Sequence, residues 1–381
     1  MSLNQTDKPV IRVLQILPAL EAGGVERTTV DIVEALTSRG HAAHVLSAGG
    51  RLEKEIEELG GQLHTSPVGS KNILTIISRI FQIRKLIKDN DINIVHARSR
   101  APAWPAYFAA KLTRTPFVTT YHGIYNAKTW PKRFYNSIMA RGNAVIANST
   151  FTRDHIVKVH GLNKDSIAVI PRGVDMDQFD PIKVSHDAVT DQRNLWGGPH
   201  DKFIVLPGRL TRWKGQLDAV DALADLPNSC RLILVGDAQG RDNYVSEIED
   251  RIKALKLGGR VTIEGHRSDM PLIYASAHVV LSASNEPEAF GRVAAEAQAM
   301  GRPVVATALG GALETVEDGK TGWLVPAGDL EAMAKAIKRA LAWPAYDSRH
   351  ARTRIMRYFS RKSLQARVLA VYSELLTAKN R

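Results

Sequence analysis

The feature that most limits the fold of this chain is a series of short β-branched runs, each followed by a turn or glycine and then a helical pattern. Continuous apolar runs of this length are typical of parallel strands buried on both faces, and the intervening segments have the periodicity of crossover helices. The runs fall into two series, at 11–18, 42–50, 92–99, 116–123, 144–149 and 167–174, and at 203–210, 231–237, 260–266, 278–284, 302–311 and 323–329. The sequence therefore predicts an α/β protein with two doubly wound parallel sheets.

A chain of 381 residues is too long for one ordinary core, which agrees with two domains. Between the two series, residues 176–201 are polar and show no period, so we predict an interdomain connection there. The N-terminal domain would then span 1–175 and the C-terminal domain 202–355. In the last segment, 356–381, Leu364, Val368, Val371 and Leu375 share one face of a predicted helix.

The composition limits the functional class only broadly. The formal net charge of +12 favours polyanionic partners, namely nucleic acid, an anionic membrane surface or phosphorylated ligands, without choosing among them. The single cysteine, Cys230, excludes an intramolecular disulfide framework and a Cys-based metal site. No signal-peptide pattern opens the chain, and no apolar run approaches the ~20 residues that span a bilayer, so we expect a cytoplasmic protein.

Two carboxylates flank a glycine in EAFGRVAAE, residues 288–296. Gly291 is predicted to begin a helix whose free amides and positive dipole end could hold a diphosphate. At ~1.5 Å per residue, Glu288 and Glu296 would lie roughly 12 Å apart, about the span from the sugar to the ribose of a nucleotide sugar. The alternative is that Glu288 is a loop charge and Glu296 a solvated helix residue.

Two cations follow the strand FIVLPG, in GRLTRWKGQ. Arg209 and Lys214 stand where a parallel strand ends, which is the edge at which ligands of doubly wound sheets bind. Two such domains facing each other would form a cleft lined by their strand-end loops. The pair is placed to bind phosphate oxygens, although two surface cations in a basic protein would have the same spacing.

Three strings together carry a resemblance to a known family: GRL…KG, SASNEPEAFGRVAAEAQAMGRPVVAT and GGALETVEDGKTGWLVPAGD. They resemble the family 4 retaining glycosyltransferases, whose two Rossmann-like domains face each other across a cleft in the GT-B fold. The similarity runs over nearly the whole chain. It implies that the C-terminal domain binds a nucleotide-sugar donor and that the C-terminal helix crosses back to the N-terminal domain.

The resemblance also implies roles for individual residues of the donor site. Glu288 would contact the sugar hydroxyls and Glu296 the ribose, while Arg209 and Lys214 would neutralise the diphosphate and stabilise the departing nucleoside diphosphate. The donor-binding set it implies is Gly23, Gly24, Arg209, Lys214, Arg267, Glu288, Ala289, Phe290, Gly291, Arg292, Val293 and Glu296. In this set Gly23 and Gly24 belong to the glycine loop PALEAGGVERT, and Arg267 would contact the base.

On the acceptor side, the resemblance implies that His122 of TYHG lies beside the transferred sugar. IPRGVD departs from the family's I-P-N-G-V-D, with Arg172 in place of asparagine, which leaves the role of that side chain open. HARSRAPAW looks like bacterial members thought to build lipopolysaccharide or another envelope polysaccharide. The residues expected to bind the acceptor are Arg98, Arg100, Tyr121, His122 and Arg172.

Two stretches of the first half mix apolar and basic residues. The first, 70–90, is an amphipathic helix with Lys71, Arg79, Arg84, Lys85 and Lys88 beside an isoleucine-rich face, and the second, 125–143, interleaves Trp130, Phe134 and Tyr135 with Lys128, Lys132 and Arg133. Attachment to an anionic membrane surface would explain both, and binding of a charged saccharide would also explain the second. A crossover helix with a solvated basic edge would explain the first equally well.

The reaction that the resemblance implies is transfer of a hexosyl unit from a UDP- or GDP-sugar to a lipid-linked or saccharide acceptor, with retention, and we expect no metal or other cofactor. Asp175 and Asp177 in DMD form no second cluster, so we assign no metal to them. A sugar-nucleotide epimerase or phosphorylase of the same architecture is an alternative. A basic membrane-binding or nucleic-acid-binding protein is another, although no nucleic-acid motif supports it. An NAD oxidoreductase is disfavoured because no G-x-G-x-x-G follows a strand.

Overall fold

A computed structural model describes residues 10–21, 23–69, 73–343 and 348–379 and divides the chain into two compact units. Unit 1 contains Met1–Pro171 together with Lys362–Arg381, and unit 2 contains Arg172–Arg361. The doubly wound α/β fold predicted from the sequence is confirmed in both units. None of the helices in the described part of the chain is long and apolar enough to cross a bilayer.

Unit 1 is built on a seven-stranded parallel sheet. Its strands are β1 (Arg12–Ile16), β2 (Ala42–Ser47), β3 (Gln62–Thr65), β4 (Ile94–Ala97), β5 (Phe117–Tyr121), β6 (Ala144–Ala147) and β7 (Ile167–Val169). They lie in the order β3-β2-β1-β4-β5-β6-β7, with Leu14 of β1 opposite His44 on one side and Val95 on the other. The strand order reverses between β1 and β4, so the loops after these two strands flank the point where such sheets bind ligands.

Helices cover both faces of this sheet. They are α1 (Gly24–Thr37), α2 (Glu53–Glu58), α3 (Ile73–Asp89), α4 (Arg100–Thr113), α5 (Trp130–Asn136), α6 (Thr150–His160) and α15 (Arg361–Lys379). One core cluster joins the sheet to α1 and α15, and a second joins its other face to α3 and α4. Helix α15 buries Leu364 and Val368 of the predicted apolar face, with Val371 and Leu375 half-buried, and it also buries Tyr372.

The edge strand β3 has no counterpart among the runs read from the sequence. Its residues, QLHT, are exposed or half-buried and not continuously apolar. An edge strand of this kind is held by main-chain pairing to β2, from Gln62 opposite His44 to Thr65 opposite Ser47. Apolar runs identify strands that are buried on both faces, and β3 is not one of them.

Unit 2 is built on a six-stranded parallel sheet, and each of the six runs of the second series overlaps one strand. The strands are β8 (Lys202–Pro207), β9 (Cys230–Val235), β10 (Val261–Glu264), β11 (Val279–Ser282), β12 (Val304–Thr307) and β13 (Gly322–Val325). Their order is β10-β9-β8-β11-β12-β13, which places the reversal between β8 and β11. The helices are α7 (His186–Trp196), α8 (Gln216–Ala224), α9 (Asp242–Ala254), α10 (Met270–Ser276), α11 (Arg292–Ala299), α12 (Ala312–Thr315), α13 (Leu330–Leu341) and α14 (Ser348–Tyr358).

The prediction that 176–201 is an irregular connection is wrong. These residues belong to unit 2 and contain α7, whose amino end is capped by the Ser185 hydroxyl, an acceptor for the Ala188 amide. Only Gln192 and Trp196 of α7 are buried, and Trp196 packs on Phe203 of the core. So few buried positions leave no visible apolar period, and the helix could not be read from the pattern.

The end of the chain also divides differently from the predicted boundary at 356. Helix α14 runs to Tyr358 and belongs to unit 2, and α15 begins at Arg361, after which the chain joins unit 1 at Lys362. Between the two helices, the Val174 amide donates to Phe359 O and the Arg361 amide to Val174 O. The Arg361 guanidinium lies 3.1 Å from Asp175 Oδ2. Asp175, one of the carboxylates of DMD, thus has a structural partner.

One buried histidine of unit 2 gives the fold a predicted pH dependence. His278 Nδ1 accepts a hydrogen bond from the Phe203 amide at 3.0 Å, and burial, with Arg193, Lys202 and Arg302 nearby, lowers the pKa of His278 to about 4. A histidine has a pKa near 6.5 when unfolded, so its contribution to stability is complete above that pH and is lost as the pH falls towards 4. We expect the urea midpoint to fall between pH 7 and pH 5, and to fall less in His278→Asn.

The exposed His186 of α7 provides a matched control, because His186→Asn should leave the acid sensitivity of the protein unchanged. Equal acid sensitivity in wild type and His278→Asn would contradict the assignment.

Candidate active site

A lysine and a glutamate meet at the reversal point of the unit 2 sheet. Lys214 ends a short 3-10 turn, Arg212–Lys214, that follows β8, and Glu288 lies in the loop between β11 and α11. Because β8 and β11 are parallel neighbours, both loops leave the same edge of the sheet. Lys214 Nζ lies 2.7 Å from Glu288 Oε1, and the two side chains are 12% and 18% exposed. The largely desolvated pair is therefore a preorganised charged site where ligands of such sheets bind.

Neighbouring groups fix the geometry of this pair. The Ser284 hydroxyl donates to Glu288 Oε1 at 2.5 Å, and the Asn285 amide donates to Trp213 O at 2.7 Å, which ties the two loops together. Gly215 follows Lys214 with φ +72°, and a β-carbon there would lie 2.0 Å from Ala283 O. Only glycine permits this approach, so the turn carrying Lys214 rests directly on the loop carrying Ser284.

Helix α11 begins beside Glu288. Gly291 caps it in the left-handed conformation, with φ +77°, and its carbonyl accepts the Ala295 amide, so the amides of Arg292, Val293 and Ala294 precede the first intrahelical bond. The Gly310–Gly311 turn packs directly on the loop that precedes α11, since a β-carbon at Gly311 would lie 2.3 Å from Phe290 C. The Phe290 side chain itself is buried against Phe359, so only its backbone is available to a ligand.

Glu296 lies inside α11 as predicted, but it is buried and not solvated. Its Oε2 accepts the Tyr274 hydroxyl at 2.9 Å, and its Oε1 lies 2.8 Å from the Arg292 guanidinium. Burial raises the pKa of Glu296, and Arg292 opposes that rise. The Arg292 side chain is 63% exposed, so the buried carboxylate lies under a movable cation.

The two remaining arginines of the predicted donor site differ sharply. Arg209 is exposed, and its guanidinium has no hydrogen-bonding or ionic partner among the described residues. Arg267 is fully engaged, with its guanidinium bound to Asp269, Glu264 and the Gln192 amide oxygen, and hydrogen bonding to Asp269 raises its pKa further. A contact between Arg267 and a base stays a prediction, and it would require the guanidinium to give up some of these hydrogen bonds.

In unit 1 the glycine loop leads into α1. Gly23 caps the helix and Gly24 is its first residue. A β-carbon at Gly23 would lie 2.2 Å from Glu26 Oε2, so the Glu26 carboxylate folds over the amino end of α1. The loop after β1 rests on the glycines after β2, with the Leu20 amide donating to Gly49 O at 2.8 Å.

The sequence predicts that Arg98 and Tyr121 bind the acceptor, but both side chains are buried. Arg98 is 2% exposed, and both its Nε and Nη2 donate to Gln15 Oε1 on β1. Tyr121 is fully buried in the core, with its ring centre 5.1 Å from that of Tyr125 and the two rings tilted by 37°, and burial raises its pKa. Both residues stand at strand ends but point into the interior, which sequence position alone does not reveal.

The other residues predicted to bind the acceptor remain partly accessible. Arg100 is half-buried, donates to Asn136 Oδ1 at 2.9 Å and lies 4.3 Å from the centre of the Tyr125 ring. His122 is half-buried in unit 1, where its carbonyl accepts the Asn148 side-chain amide, and Arg172 is half-buried in unit 2. Their contact with an acceptor stays a prediction. Of the amphipathic stretch 70–90, residues 70–72 with Lys71 lie outside the described residues.

Comparison with known proteins decides the family. The sequence profile of Glycosyltransferase Family 4 matches residues 22–178, and that of Glycosyl transferases group 1 matches residues 191–357. A crystal structure of a glycosyltransferase from Rickettsia africae is 36% identical, covers 96% of this chain and 99% of its own, and superposes with a TM-score of 0.89. The chain belongs to the family 4 glycosyltransferases of GT-B fold.

Two further relatives have names that state a bound ligand or an activity. HepE of Anabaena, solved in complex with UDP-glucose, is 26% identical, covers 97% of this chain and all of its own, and has a TM-score of 0.79. A D-inositol 3-phosphate glycosyltransferase of Xylanimonas cellulosilytica is 33% identical over 267 residues, 66% of this chain and 64% of the relative. The chain spans less than two thirds of the length of the curated relatives it matches.

Several residues of the candidate site were not found from the sequence. Ser284 holds Glu288, Tyr274 holds Glu296, and the Gly310–Gly311 turn supports the loop between the two glutamates. Ser284 had a detectable signal, a small polar residue directly after a buried strand, whereas Tyr274 lies 22 residues from its partner in a separate helix. Within the described ranges, no three His, Cys, Asp or Glu side chains come together as metal ligands would.

Proposed function

We propose that this protein transfers a hexosyl unit from a UDP- or GDP-sugar to a lipid-linked or saccharide acceptor, with retention of configuration and without a metal. The single observation that carries the proposal is the Lys214–Glu288 pair, at 2.7 Å, beside the amino end of α11. A cation, a carboxylate and free helix amides in one place match the diphosphate and the hydroxyls of a nucleotide sugar. The UDP-glucose complex of HepE supports the uridine nucleotide over the guanine nucleotide.

In the proposed reaction, the bond between the anomeric carbon and the diphosphate oxygen breaks, and negative charge develops on that oxygen. Lys214 and the exposed Arg209 neutralise this charge, and the first amides of α11 donate to the phosphate oxygens. These interactions strengthen as the charge develops, so they stabilise the transition state more than the bound donor. The acceptor hydroxyl attacks from the same face, and its proton passes to the leaving phosphate oxygen.

The two glutamates bind the donor in this proposal. When the diphosphate takes Lys214 as its partner, Glu288 accepts hydrogen bonds from the sugar hydroxyls, with Ser284 still holding Oε1. Glu296 would accept the ribose hydroxyls once the exposed Arg292 side chain moves away. The separation rule for glycosidase carboxylates does not apply, because that rule requires both groups to flank one bond.

The acceptor belongs, we infer, to lipopolysaccharide or another envelope polysaccharide, and the enzyme works at the inner surface of the membrane. The support is the basic stretch around Arg100 in unit 1 and the motif HARSRAPAW. Arg100 keeps most of its donors free beyond its bond to Asn136, as binding a charged saccharide requires.

The test is nucleoside diphosphate release from a panel of UDP- and GDP-sugars, with and without EDTA, followed by identification of the product's anomeric configuration. We expect one donor to turn over equally in EDTA and to yield a transferred sugar with the donor's configuration. A product that is an isomerised nucleotide sugar would point to an epimerase, phosphate-dependent release of a sugar phosphate to a phosphorylase, and loss of turnover in EDTA would contradict the metal-free mechanism.

A further inference from the structure

The excess positive charge of the protein is confined to one part of unit 1. Residues 59–153 contain fourteen Lys and Arg but only two acidic residues, Asp89 and Asp91, a net charge of +12 that equals the formal net charge of the whole chain. The rest of the chain is therefore electrically balanced. This segment contains α3, α4 and α5, which lie on the sheet face opposite α1 and α15.

The same three helices carry an unusual share of exposed apolar side chains. Seven of the fourteen large apolar side chains that are exposed in the described part of the chain lie on them: Leu74, Ile77, Phe81, Phe108, Leu112, Trp130 and Phe134. Together with the exposed cations Lys85, Lys88, Lys111, Arg114 and Arg141, these residues define the α3–α5 face. Large exposed apolar patches mark protein or membrane interaction sites, whereas scattered single residues do not.

On α3 the exposed residues form a single stripe. Leu74, Ile77 and Phe81 are 77%, 48% and 59% exposed, and their spacing of three and four residues puts them on one side of the helix. Lys85 and Lys88 continue the same side towards the carboxyl end, while the isoleucines Ile83 and Ile87 are buried. The isoleucine-rich side therefore faces the sheet, and a second apolar stripe faces outward.

An aromatic row links α4 to α5. The ring centres of Phe108 and Trp104 are 6.4 Å apart, those of Trp104 and Phe134 5.5 Å, and those of Phe134 and Trp130 5.8 Å. The Arg141 guanidinium lies 5.7 Å from the Trp104 ring centre. Aromatic rings beside cations suit the boundary between lipid headgroups and acyl chains.

A basic cavity opens where α4 ends. It has a volume of about 510 Å³, and its lining includes the cations Lys111, Arg114 and Arg141 and no carboxylate. Leu375 and Ala378 of α15 also line it, so the cavity lies at the edge of the α3–α5 face. It lies at the amino ends of β5 and β6, the sheet edge opposite the one where doubly wound sheets bind their substrates. Cations at a helix terminus can serve the helix dipole alone. Lys111 and Arg114 lie at the end of α4, whereas Arg141 follows a separate 3-10 helix, Ser137–Ala140, and still lines the same cavity.

We propose that the α3–α5 face docks unit 1 onto an anionic bilayer. The apolar side chains of α3, α4 and α5 enter the headgroup region, and a lipid phosphate occupies the cavity formed by Lys111, Arg114 and Arg141. Exposed aliphatic side chains such as Leu74, Ile77 and Leu112 do not contact phosphates or stack on bases, so their combination with the cations favours lipid over nucleic acid as the partner. The proposal rests on the membrane location proposed above, for which it names the docking surface, and it does not depend on which sugar is transferred.

The test is cosedimentation of the full chain with vesicles of phosphatidylcholine alone or with about 30% phosphatidylglycerol. We expect binding only to the anionic vesicles, because polybasic attraction contributes about 1 kcal/mol for each cation near the surface. Lys111→Gln/Arg114→Gln should weaken vesicle binding about tenfold or more, and Leu74→Ser/Trp130→Ser should also release the protein. Binding of UDP and GDP by these variants, followed by thermal shift, should equal that of the wild type, which separates this test from the donor site.

Matched controls exist in unit 2. Lys253→Gln/Lys335→Gln removes two exposed cations and Leu195→Ser removes an 80% exposed leucine, and neither should change vesicle binding. Failure of the wild type to bind anionic vesicles, equal losses in the control variants, or binding to a DNA duplex in place of vesicles would each overturn the proposal.

Discussion

Replacing Lys214 by alanine is expected to lower kcat/KM for the nucleotide-sugar donor by about 10²–10³-fold, the usual effect of removing one fixed group that stabilises developing negative charge. Lys214 is 12% exposed and already positioned by Glu288, so its charge acts in a largely desolvated site without reorganisation. Glu288→Gln should also lower kcat/KM, because it removes the carboxylate that accepts the sugar hydroxyls. Steady-state kinetics with the donor found active in the panel would measure both effects.

The exposed pair Lys335 and Glu331, 64% and 76% exposed on α13, provides the matched control. Lys335→Ala and Glu331→Gln remove the same charges far from the site in sequence and should leave kcat/KM within about twofold, since exposed pairs contribute little. Thermal unfolding of all four variants separates a catalytic loss from a folding defect. A folded Lys214→Ala protein with wild-type kcat/KM would contradict the role assigned to this cation.

Gly215→Ala is expected to damage both stability and donor binding. The backbone at Gly215 has φ +72°, which costs a residue with a side chain about 1–2 kcal/mol, and the added β-carbon would lie 2.0 Å from Ala283 O. Relieving this contact must separate the Lys214 turn from the loop that carries Ser284, at a further cost of about 1–3 kcal/mol. We expect the free energy of unfolding to fall by about 3 kcal/mol in urea titrations, and donor affinity to fall with it.

Gly328→Ala isolates the backbone contribution to this effect. Gly328 has nearly the same conformation, with φ +77°, but no atom lies within 4 Å of a β-carbon placed there. It should lose only about 1 kcal/mol and bind donor normally. Equal losses in the two variants would mean that the contact between the two loops does not hold the site together.

The extent to which the fold could be predicted depended on burial. Strands such as β8 and β11 are apolar on both faces and appear as continuous runs, so all six strands of unit 2 were found. Strand β3 is half-exposed and helix α7 buries only two residues, so neither leaves an apolar pattern of its own. Their positions depend on pairing with β2 and packing on α10, which are contacts with other parts of the chain.

The residues of the candidate site also differ in how far the sequence predicts them. Lys214 could be proposed because it follows a buried strand, and Glu288 because of its spacing from Gly291 and Glu296 and the family resemblance of that stretch. The burial of the Arg98 side chain could not be predicted, because it depends on Gln15, 83 residues away, which accepts two hydrogen bonds from Arg98. Position at a strand end therefore predicts proximity to a ligand edge, but only packing decides whether a side chain faces the ligand or the core.

The most direct test of the donor site is calorimetric titration of UDP and GDP into wild type, Lys214→Ala and Lys335→Ala. A diphosphate bound between Lys214 and the amino end of α11 predicts that one of the two nucleotides binds wild type and Lys335→Ala with equal affinity. The same nucleotide should bind Lys214→Ala at least about tenfold more weakly, since charge-assisted hydrogen bonds contribute about 1.5–3 kcal/mol. Unchanged affinity in Lys214→Ala, or no binding of either nucleotide to wild type, would contradict the account.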